Sequence, residues 1–452
     1  STGASFSLGE TTALNSVTNE TLRFIDNLQV KTTQDAGQHI IQSSAQDTQL
    51  AGGEIVHDQE ADKYYRYIGI GQDLSSAFGD LHFRYELKLP MLEDVSDFSK
   101  TGQWRDISAK ITDTQGNLDV PGIMSEALSK ARIDARAIGA QLAAGISTEQ
   151  SSYSFSLGVT WSENNINNEL LSYIQSTKAN SESGDIYLNS RQDSSINSLA
   201  LSASAALSIS AEGKESIAVS GAGAVGLNKI QGKNNAYIQD SQIQAQDNDL
   251  NISTINSARI KAKVPSVSAG AGSIGVAVAR NIIGWQDKAD VSSKYENKNS
   301  SANLDKGDKV KITQGPLQGD IYKYVGAQKN GVDLTTQNYG DRSAWQQVNL
   351  QKSSFEVQAS IQGSSFQVAD LNLSSSSEAD INALIIAGSV GVAVSKGTTS
   401  VAASGAGAYT ENKISTQINS YISGQKADQY LEIGQLNIKS SDSASISAKS
   451  AC

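Results

Sequence analysis

The chain has 452 residues, a formal net charge of −11 and 38% hydrophobic residues, which is enough for several cores. Aromatic residues make up only 6%, so we expect thin core layers of Ile, Val, Leu and Ala. The chain is acidic and its Lys and Arg residues form no cluster, which argues against nucleic acid and anionic lipid as partners. No apolar run of membrane-spanning length occurs, so the sequence predicts no membrane insertion. The only cysteine is Cys452, which excludes an intrachain disulfide and a cysteine-based metal site.

A repeated unit runs through the chain from its first residues. Residues 5–9 and 154–158 share the sequence Ser-Phe-Ser-Leu-Gly, and the stretch 198–230 recurs at 382–414. Both of the longer copies contain Ser-Gly-Ala-Gly-Ala followed by Asn-Lys-Ile. Repetition of this kind is typical of elongated, modular proteins. Because both ends of the sequence lie within the repeat pattern, we expect a segment of a much longer polypeptide.

Two segments, 51–107 and 285–350, concentrate the aromatic residues that the remainder of the chain lacks. Both contain a Tyr-X-Tyr-X-Gly motif. In each, a Trp also follows an aromatic residue by six positions: Trp104 follows Phe98 in the first segment, and Trp345 follows Tyr339 in the second. The pattern predicts two small inserted β modules, whose aromatic side chains either form a mini-core or present a platform for a glycan or partner chain. The residues concerned are Tyr65, Tyr67, Trp104, Tyr322, Tyr324, Tyr339 and Trp345.

The segment 124–146 permits two interpretations. It follows Pro121 and Gly122 and is rich in Ala, Leu, Ile, Arg and Gln, which favours an amphipathic helix. The alternation of Ala131, Ile133 and Ala135 fits a strand equally well. The sequence leaves both open.

Alternating bursts of apolar residues fill 173–196, 235–264 and 418–446. They predict short strands with one buried face, too closely spaced for helical crossovers. We therefore predict an all-β fold, a right-handed parallel β-solenoid with two small inserted β modules; an antiparallel sandwich is the alternative. The solenoid would occupy 1–50, 108–284 and 351–452, and each coil would add about 4.8 Å of length for few residues. Its inward-facing residues would include Ile238, Ile243, Ile252 and Ile260.

Two Gly- and Ala-rich stretches, 267–278 and 384–394, carry small side chains that let another layer of backbone approach closely. They predict a packed solenoid face or, alternatively, a silk-like flat stack. Asn228, Asn281 and Asn412 follow apolar strands at like positions of the repeated unit. Stacked Asn side chains can form an amide ladder, so a structural role is sufficient to explain them.

Nothing in the sequence predicts a catalytic site or a cofactor. His39, His57 and His82 lack the spacing of a metal cluster or catalytic dyad and are predicted to lie at the surface. Gly221 and Gly223 resemble half of a phosphate loop, but no Gly-Lys-Ser/Thr ending follows. Several charged residues match the content of a polysaccharide-cleaving β-helix site, although we interpret the carboxylates as turn caps. They are Asp185, Arg191, Asp193, Asp247 and Asp249.

Residues 275–285, Gly-Val-Ala-Val-Ala-Arg-Asn-Ile-Ile-Gly-Trp, precede the Tyr and Trp motifs of the second module. This combination resembles the repeat region of giant bacterial extracellular repeat proteins, described as adhesin-like, haemagglutinin-like or calcium-binding. The resemblance implies a β-solenoid with inserted modules, a location outside the cell or at its surface, and a role in attachment or prey contact. The Gly-Gly-X-Gly-X-Asp nonapeptide of calcium-binding rolls is absent, so no motif supports calcium here.

We therefore expect a non-enzymatic structural rod segment of a secreted or surface-attached bacterial filament or adhesin, without a cofactor. Its partners would be identical chains or the remainder of the same giant polypeptide. The alternative is an adhesive module that binds cell-surface glycans through the aromatic residues. A polysaccharide-cleaving β-helix enzyme is the third hypothesis.

Overall fold

The computed structural model describes residues 3–32, 40–42, 44, 55–61, 63–67, 104–106, 123–147, 151–181, 184–210, 215–245, 248–288, 291–314, 317–392, 402–424 and 430–452. These residues form strands and turns, and no helix occurs among them, which confirms the all-β prediction. Across these ranges there is accordingly no helix long and apolar enough to cross a membrane.

The strands are numbered in chain order. The first half contains β1 (Gly3–Asp26), β2 (Gln29–Thr32), β3 (Ile40–Gln42), β4 (Ile55–Asp58), β5 (Lys63–Tyr67), β6 (Trp104–Asp106), β7 (Ile123–Ser147), β8 (Ser152–Gln175), β9 (Lys178–Ser181), β10 (Ile186–Ser210), β11 (Ser216–Gln239) and β12 (Gln242–Ala245). The second half contains β13 (Leu250–Gly270), β14 (Gly272–Ile283), β15 (Trp285–Asp287), β16 (Tyr295–Glu296), β17 (Ala302–Leu304), β18 (Lys309–Lys311), β19 (Ile321–Tyr324), β20 (Lys329–Val332), β21 (Trp345–Gln347), β22 (Leu350–Lys352), β23 (Phe355–Gln362), β24 (Ser365–Gly391), β25 (Ala403–Ile414), β26 (Thr416–Ser423) and β27 (Leu431–Ala451).

Two parallel sheets contain all the long strands. The first sheet runs β1-β8-β11-β14-β25; β23 continues the line of β14 beyond an insertion, and β26 continues that of β25 after Ser415. The second sheet runs β2-β9-β12-β24-β13-β10-β7, with β27 paired to β24. The chain alternates between the sheets, and equivalent residues such as Asn164 and Asn228 lie 64 positions apart in neighbouring strands. The parallel pairing excludes the antiparallel sandwich.

The prediction of short strands is wrong. Residues 250–270 form the single strand β13, and β7 shows that the ambiguous segment 124–146 is a strand of 25 residues. The long strands continue through polar residues that face inward and pair between strands: Thr254 Oγ1 donates to Ser375 Oγ at 2.9 Å, and Asn256 Nδ2 donates to Ser377 Oγ at 3.1 Å. A paired polar side chain does not end a strand.

One column of turns carries the chain from the first sheet to the second. Asn27, Ser176 and Asp240 have φ angles of 51°, 48° and 47°, and Gly363 and Gly424 follow in the next two strands with 56° and 70°. Each of the first four donates its backbone N–H to a carbonyl of the next strand, at 2.9–3.0 Å. Because a left-handed conformation costs a non-glycine residue free energy, the stacked neighbours must hold these turns in place.

The core lies between the two sheets. One apolar cluster contains Ile238 of β11 and Ile252 of β13, and a second contains Ile260 of β13. These residues and Ile243 are at most 1% exposed, so the predicted inward orientation of all four isoleucines is confirmed.

Both aromatic modules contain a small sheet of the same topology. In the first, β3 pairs in parallel with β4, and β5 and β6 follow antiparallel; β16, β18, β19 and β21 repeat this order in the second. Tyr67 lies opposite Trp104, as Tyr324 lies opposite Trp345. The shared motif therefore occupies the same place in both sheets. The first small sheet begins at Ile40, on the other side of the predicted boundary at residue 51.

Candidate functional site

The second module leaves the first sheet between β14 and β23 and docks on the outer face of that sheet. Gly284, where the chain leaves, has a φ of 69°. A Cβ there would lie 1.9 Å from the carbonyl oxygen of Ser415, so only glycine fits. At the base of the module β15 and β22 pair antiparallel. The chain therefore leaves the sheet and returns to it side by side, through the paired strands β15 and β22.

A buried ion cluster fixes the module to the sheet. Arg280 of β14 donates from Nε to Oε2 of Glu411 on β25 at 2.8 Å, and from Nη2 to Asp320 of the module. The three side chains are only 16%, 8% and 3% exposed. Burial disfavours the charge of Arg280, but the two carboxylates outweigh it and raise the pKa of its guanidinium above the ordinary value. Arg280 thus bridges two strands and the module.

Further contacts extend this cluster. Lys413 of β25 lies 2.5 Å from Oε1 of Glu411, donates to Oε1 of Gln347 at 3.0 Å and has its Nζ 5.1 Å from the centre of the Trp285 ring. Asn349 donates from Nδ2 to Oδ1 of Asp320 at 3.2 Å. The cluster can hold two structural units together, and its charges are satisfied by one another.

The aromatic residues of the second module form its core. The ring centres of Tyr339 and Trp345 are 4.8 Å apart, and those of Tyr324 and Trp345 are 5.2 Å apart. Tyr322, Tyr324, Tyr339 and Trp345 are 3–8% exposed. The structure thus brings these four predicted site residues together, but inside the module. A glycan or partner chain would reach little of their surface.

The aromatic residues of the first module lie on paired strands of its sheet. Tyr65 is half-buried and lies opposite Asp106, and Tyr67 lies opposite Trp104. Phe98 lies outside the described residues. Contact between these residues and a partner or glycan stays a prediction.

High pH is expected to destabilise the second module through its buried tyrosines. Burial raises the pKa of Tyr322 and Tyr339 above the ordinary 10.0, and Tyr409, Asp320 and Glu411 add to the effect on Tyr322. Below pH 10 folded and unfolded chains both keep these protons. Above it only the unfolded chain releases them, so the free energy of unfolding falls by about 1.4 kcal/mol per pH unit for each such tyrosine.

Urea unfolding between pH 8 and pH 11, followed by tryptophan fluorescence, measures this loss. The variant Tyr322→Phe/Tyr339→Phe keeps the rings and removes both ionisable hydroxyls, so its alkaline loss should be smaller. An identical pH dependence of the variant and the wild-type chain would contradict the assignment.

The residues considered for catalysis serve as turn caps or lie apart. Asp185 Oδ1 accepts the backbone N–H of Asp249 at 3.0 Å, and Asp249 Oδ1 accepts that of Asp370 at 3.2 Å, so each cap acts on the next strand of the stack. Arg191 and Asp193 are exposed on the outer face of β10. Asp247, His39 and His82 lie outside the described residues, whereas His57 is half-buried on β4.

Gly221 and Gly223 lie within the continuous strand β11, which is not the context of a phosphate loop. Within the described ranges, no group of three or more His, Cys, Asp or Glu residues could hold a metal ion.

The predicted amide ladder is present, and it is longer than predicted. Each Asn donates from Nδ2 to Oδ1 of the Asn in the next strand, at 2.7–2.9 Å. The ladder crosses the whole first sheet through Asn15, Asn164, Asn228, Asn281 and Asn412. Since all five lie in one column, the ladder fixes the register of five strands.

Replacing Asn228 by Ala is expected to lower the free energy of unfolding by about 1–3 kcal/mol, because it leaves Oδ1 of Asn281 buried without its donor. Thermal and urea unfolding measure the loss. Asn197→Ala is the matched control, because Asn197 is exposed on β10 and should tolerate the change. Equal losses in both variants would contradict a stabilising ladder.

Sequence reasoning missed Arg280, Asp320 and Glu411. The repeat gave no clear signal, because the column of Arg280 reads Leu14, Glu163, Leu227, Arg280 and Glu411 and so mixes apolar and charged residues. The pairing of Arg280 with Glu411 follows only once their strands are known to be neighbours in this register.

Comparison with known proteins adds no relative. No family model, no curated protein and no solved structure matches the chain.

Proposed function

We propose that the chain is a structural segment of a giant secreted or surface-attached bacterial filament or adhesin, built as a right-handed parallel β-solenoid with two inserted modules. The observation that carries this proposal is the unbroken register of the first sheet, shown by the column of five Asn side chains. Parallel strands that stack in register repeat one backbone hydrogen-bond pattern along the stack, which suits a stiff, extendable body. The resemblance of residues 275–285 to extracellular repeat proteins supports a location outside the cell or at its surface.

The shape of each coil changes the mechanical argument. In coils without an inserted module the offset is 63–65 residues, so about 4.8 Å of rise uses that many residues and the expectation of length from few residues is wrong. A strand of 24 residues is about 80 Å long at about 3.3 Å per residue. The segment we propose is therefore a broad ribbon, which resists bending across its width and presents two wide faces.

The outermost strands support partners of the same kind. Among the described strands, β1 pairs only with β8, and β27 pairs only with β24. Each leaves a row of backbone groups that another parallel strand can pair. We propose that identical chains or the remainder of the same polypeptide supply those strands. The proposed role needs no cofactor and no catalytic group.

Stretching single molecules by their two ends tests this function. A stacked solenoid should resist and then release one coil at a time, with about 220 Å of new contour length for each 64 residues. Smooth extension without resisting events would contradict a mechanical role.

Two binding assays separate the other hypotheses. Glycan-array binding by the folded wild-type chain would favour an adhesive module, and release of reducing ends from polysaccharide would favour an enzyme. The structural proposal expects neither.

A further inference from the structure

One half of the second sheet carries an apolar outer surface. In register, residues 137–147 of β7, 200–210 of β10, 264–270 of β13 and 385–391 of β24 contain no charged residue, and Arg136 and Lys263 mark the border with the charged half. Their outward side chains are largely exposed, and we call this surface the apolar half-face. Its members include Ile138 (55% exposed), Leu142 (69%), Ile146 (67%), Val267 (49%) and Val390 (54%).

The inner side of the same strands explains why large side chains point outward. Ser204 Oγ donates to the carbonyl of Ser156 at 3.0 Å, and Ser208 Oγ donates to that of Ser152 at 2.6 Å. These small polar residues fill the space between the sheets. A slip by one residue would turn every side chain to the other face and break these bonds. The outward orientation of Leu and Ile is therefore built into the fold.

The apolar half-face is ridged across its strands. Large side chains pair with each other at Ile138–Leu201 and Ile146–Ile209, whereas a large and a small side chain pair at Leu142–Ala205, Leu207–Ala144 and Val390–Ala269. Hollows therefore lie beside some of the large side chains. Two sheets with such ridges and hollows interdigitate when they pack face to face, at a spacing of about 10 Å.

The size of the apolar half-face fits a contact between chains. About nine residues along each strand and four strands across give a footprint of about 30 by 19 Å, or nearly 600 Å². A specific interface needs about 800 Å² of accessible surface per partner, and interdigitated side chains bury more than the flat footprint. The footprint lies at the upper end of the range of about 300–600 Å² for the largest apolar patch of a typical monomer, and such patches are often functional.

We propose that a second copy of this chain covers the apolar half-face, sheet against sheet. The inference deepens the proposed structural role and rests on it for its setting in a laterally associated filament. A lipid bilayer is the other apolar environment. However, among the strands that the structure describes β7 pairs with β10 alone, so one edge of its backbone groups would stay unpaired in hydrocarbon. A second copy leaves that edge in water.

Sedimentation velocity of the whole chain over a range of concentrations tests the pairing. We expect dimers that weaken about a hundredfold on Leu142→Glu, because a carboxylate would be buried without a partner. Ile255→Glu is the matched control: Ile255 is 41% exposed on the outer face of the same sheet but lies opposite Arg191, outside the apolar half-face, and its replacement should leave dimerisation unchanged. Circular dichroism and urea midpoints verify that both variants fold.

Three results would overturn the proposal. The first is a monomer at every concentration, and the second is a dimer whose affinity is unchanged by Leu142→Glu. The third is a monomer that floats with neutral phosphatidylcholine vesicles and no longer floats when Leu142 is replaced by Glu. The stretching experiment is independent, because a monomer that unravels coil by coil would keep the structural role and remove only the pairing.

Discussion

Replacing Arg280 by Met is expected to destabilise the docked second module by about 3–5 kcal/mol. The change keeps much of the side-chain volume but removes the positive charge that lies between Asp320 and Glu411, which are 3% and 8% exposed. Two buried carboxylates would then lack their common partner, and of the two Lys413 pairs with Glu411 and not with Asp320. Urea unfolding followed by tryptophan fluorescence measures the loss, since Trp285 and Trp345 lie in or beside the module.

The matched control is Arg259→Met. Arg259 and Glu378 form an ion pair at 3.6 Å in which both side chains are more than half exposed, so the loss should stay below about 1 kcal/mol. Adding Asp320→Asn to Arg280→Met should recover part of the stability, because Glu411 keeps Lys413 as its counter-charge and no buried carboxylate then lacks one. Equal losses for Arg280→Met and Arg259→Met would contradict the clamp.

Replacing Ile260 by Asp is expected to reduce the free energy of unfolding by several kcal/mol. Ile260 is fully buried between the sheets in a cluster with Ile230 and Phe355, where a carboxylate finds neither water nor a counter-charge. The loss acts on the whole stack, because neighbouring strands share the cluster. Equilibrium unfolding by circular dichroism measures it.

Lys261→Asp provides the control at the next position. Lys261 is exposed on the outer face of β13, and the change should alter the stability by less than about 0.5 kcal/mol. Ile260→Asp with a wild-type urea midpoint would show that the inward face is assigned wrongly.

The period of two predicted the strand state and the inward isoleucines, because alternation along one strand is a local property. The extent of each strand could not be predicted in the same way. Thr254 and Asn256 look like interruptions in one copy, and their partners Ser375 and Ser377 are more than a hundred residues away. The width of the coil depends on such pairs, which no local window contains.

The column of Asn side chains was accessible because the repeat places Asn at like positions. The buried ion cluster was not, since Arg280 meets Asp320 only after the second module folds back on the sheet. The apolar half-face escaped prediction for a related reason. Alternation separates two faces of a strand but does not say which one lies inside, and here Ser and Ala fill the interior while Leu and Ile face outward.

Electron microscopy of the purified chain tests the central claim, a stack of wide coils in parallel register, most directly. Averaged images should show a flat plate with a long dimension of about 80 Å, set by strands of 24 residues, and a small lobe at the second module. A near-isometric globule of about 57 Å, the size of a compact chain of this length, or a string of separate beads would contradict it.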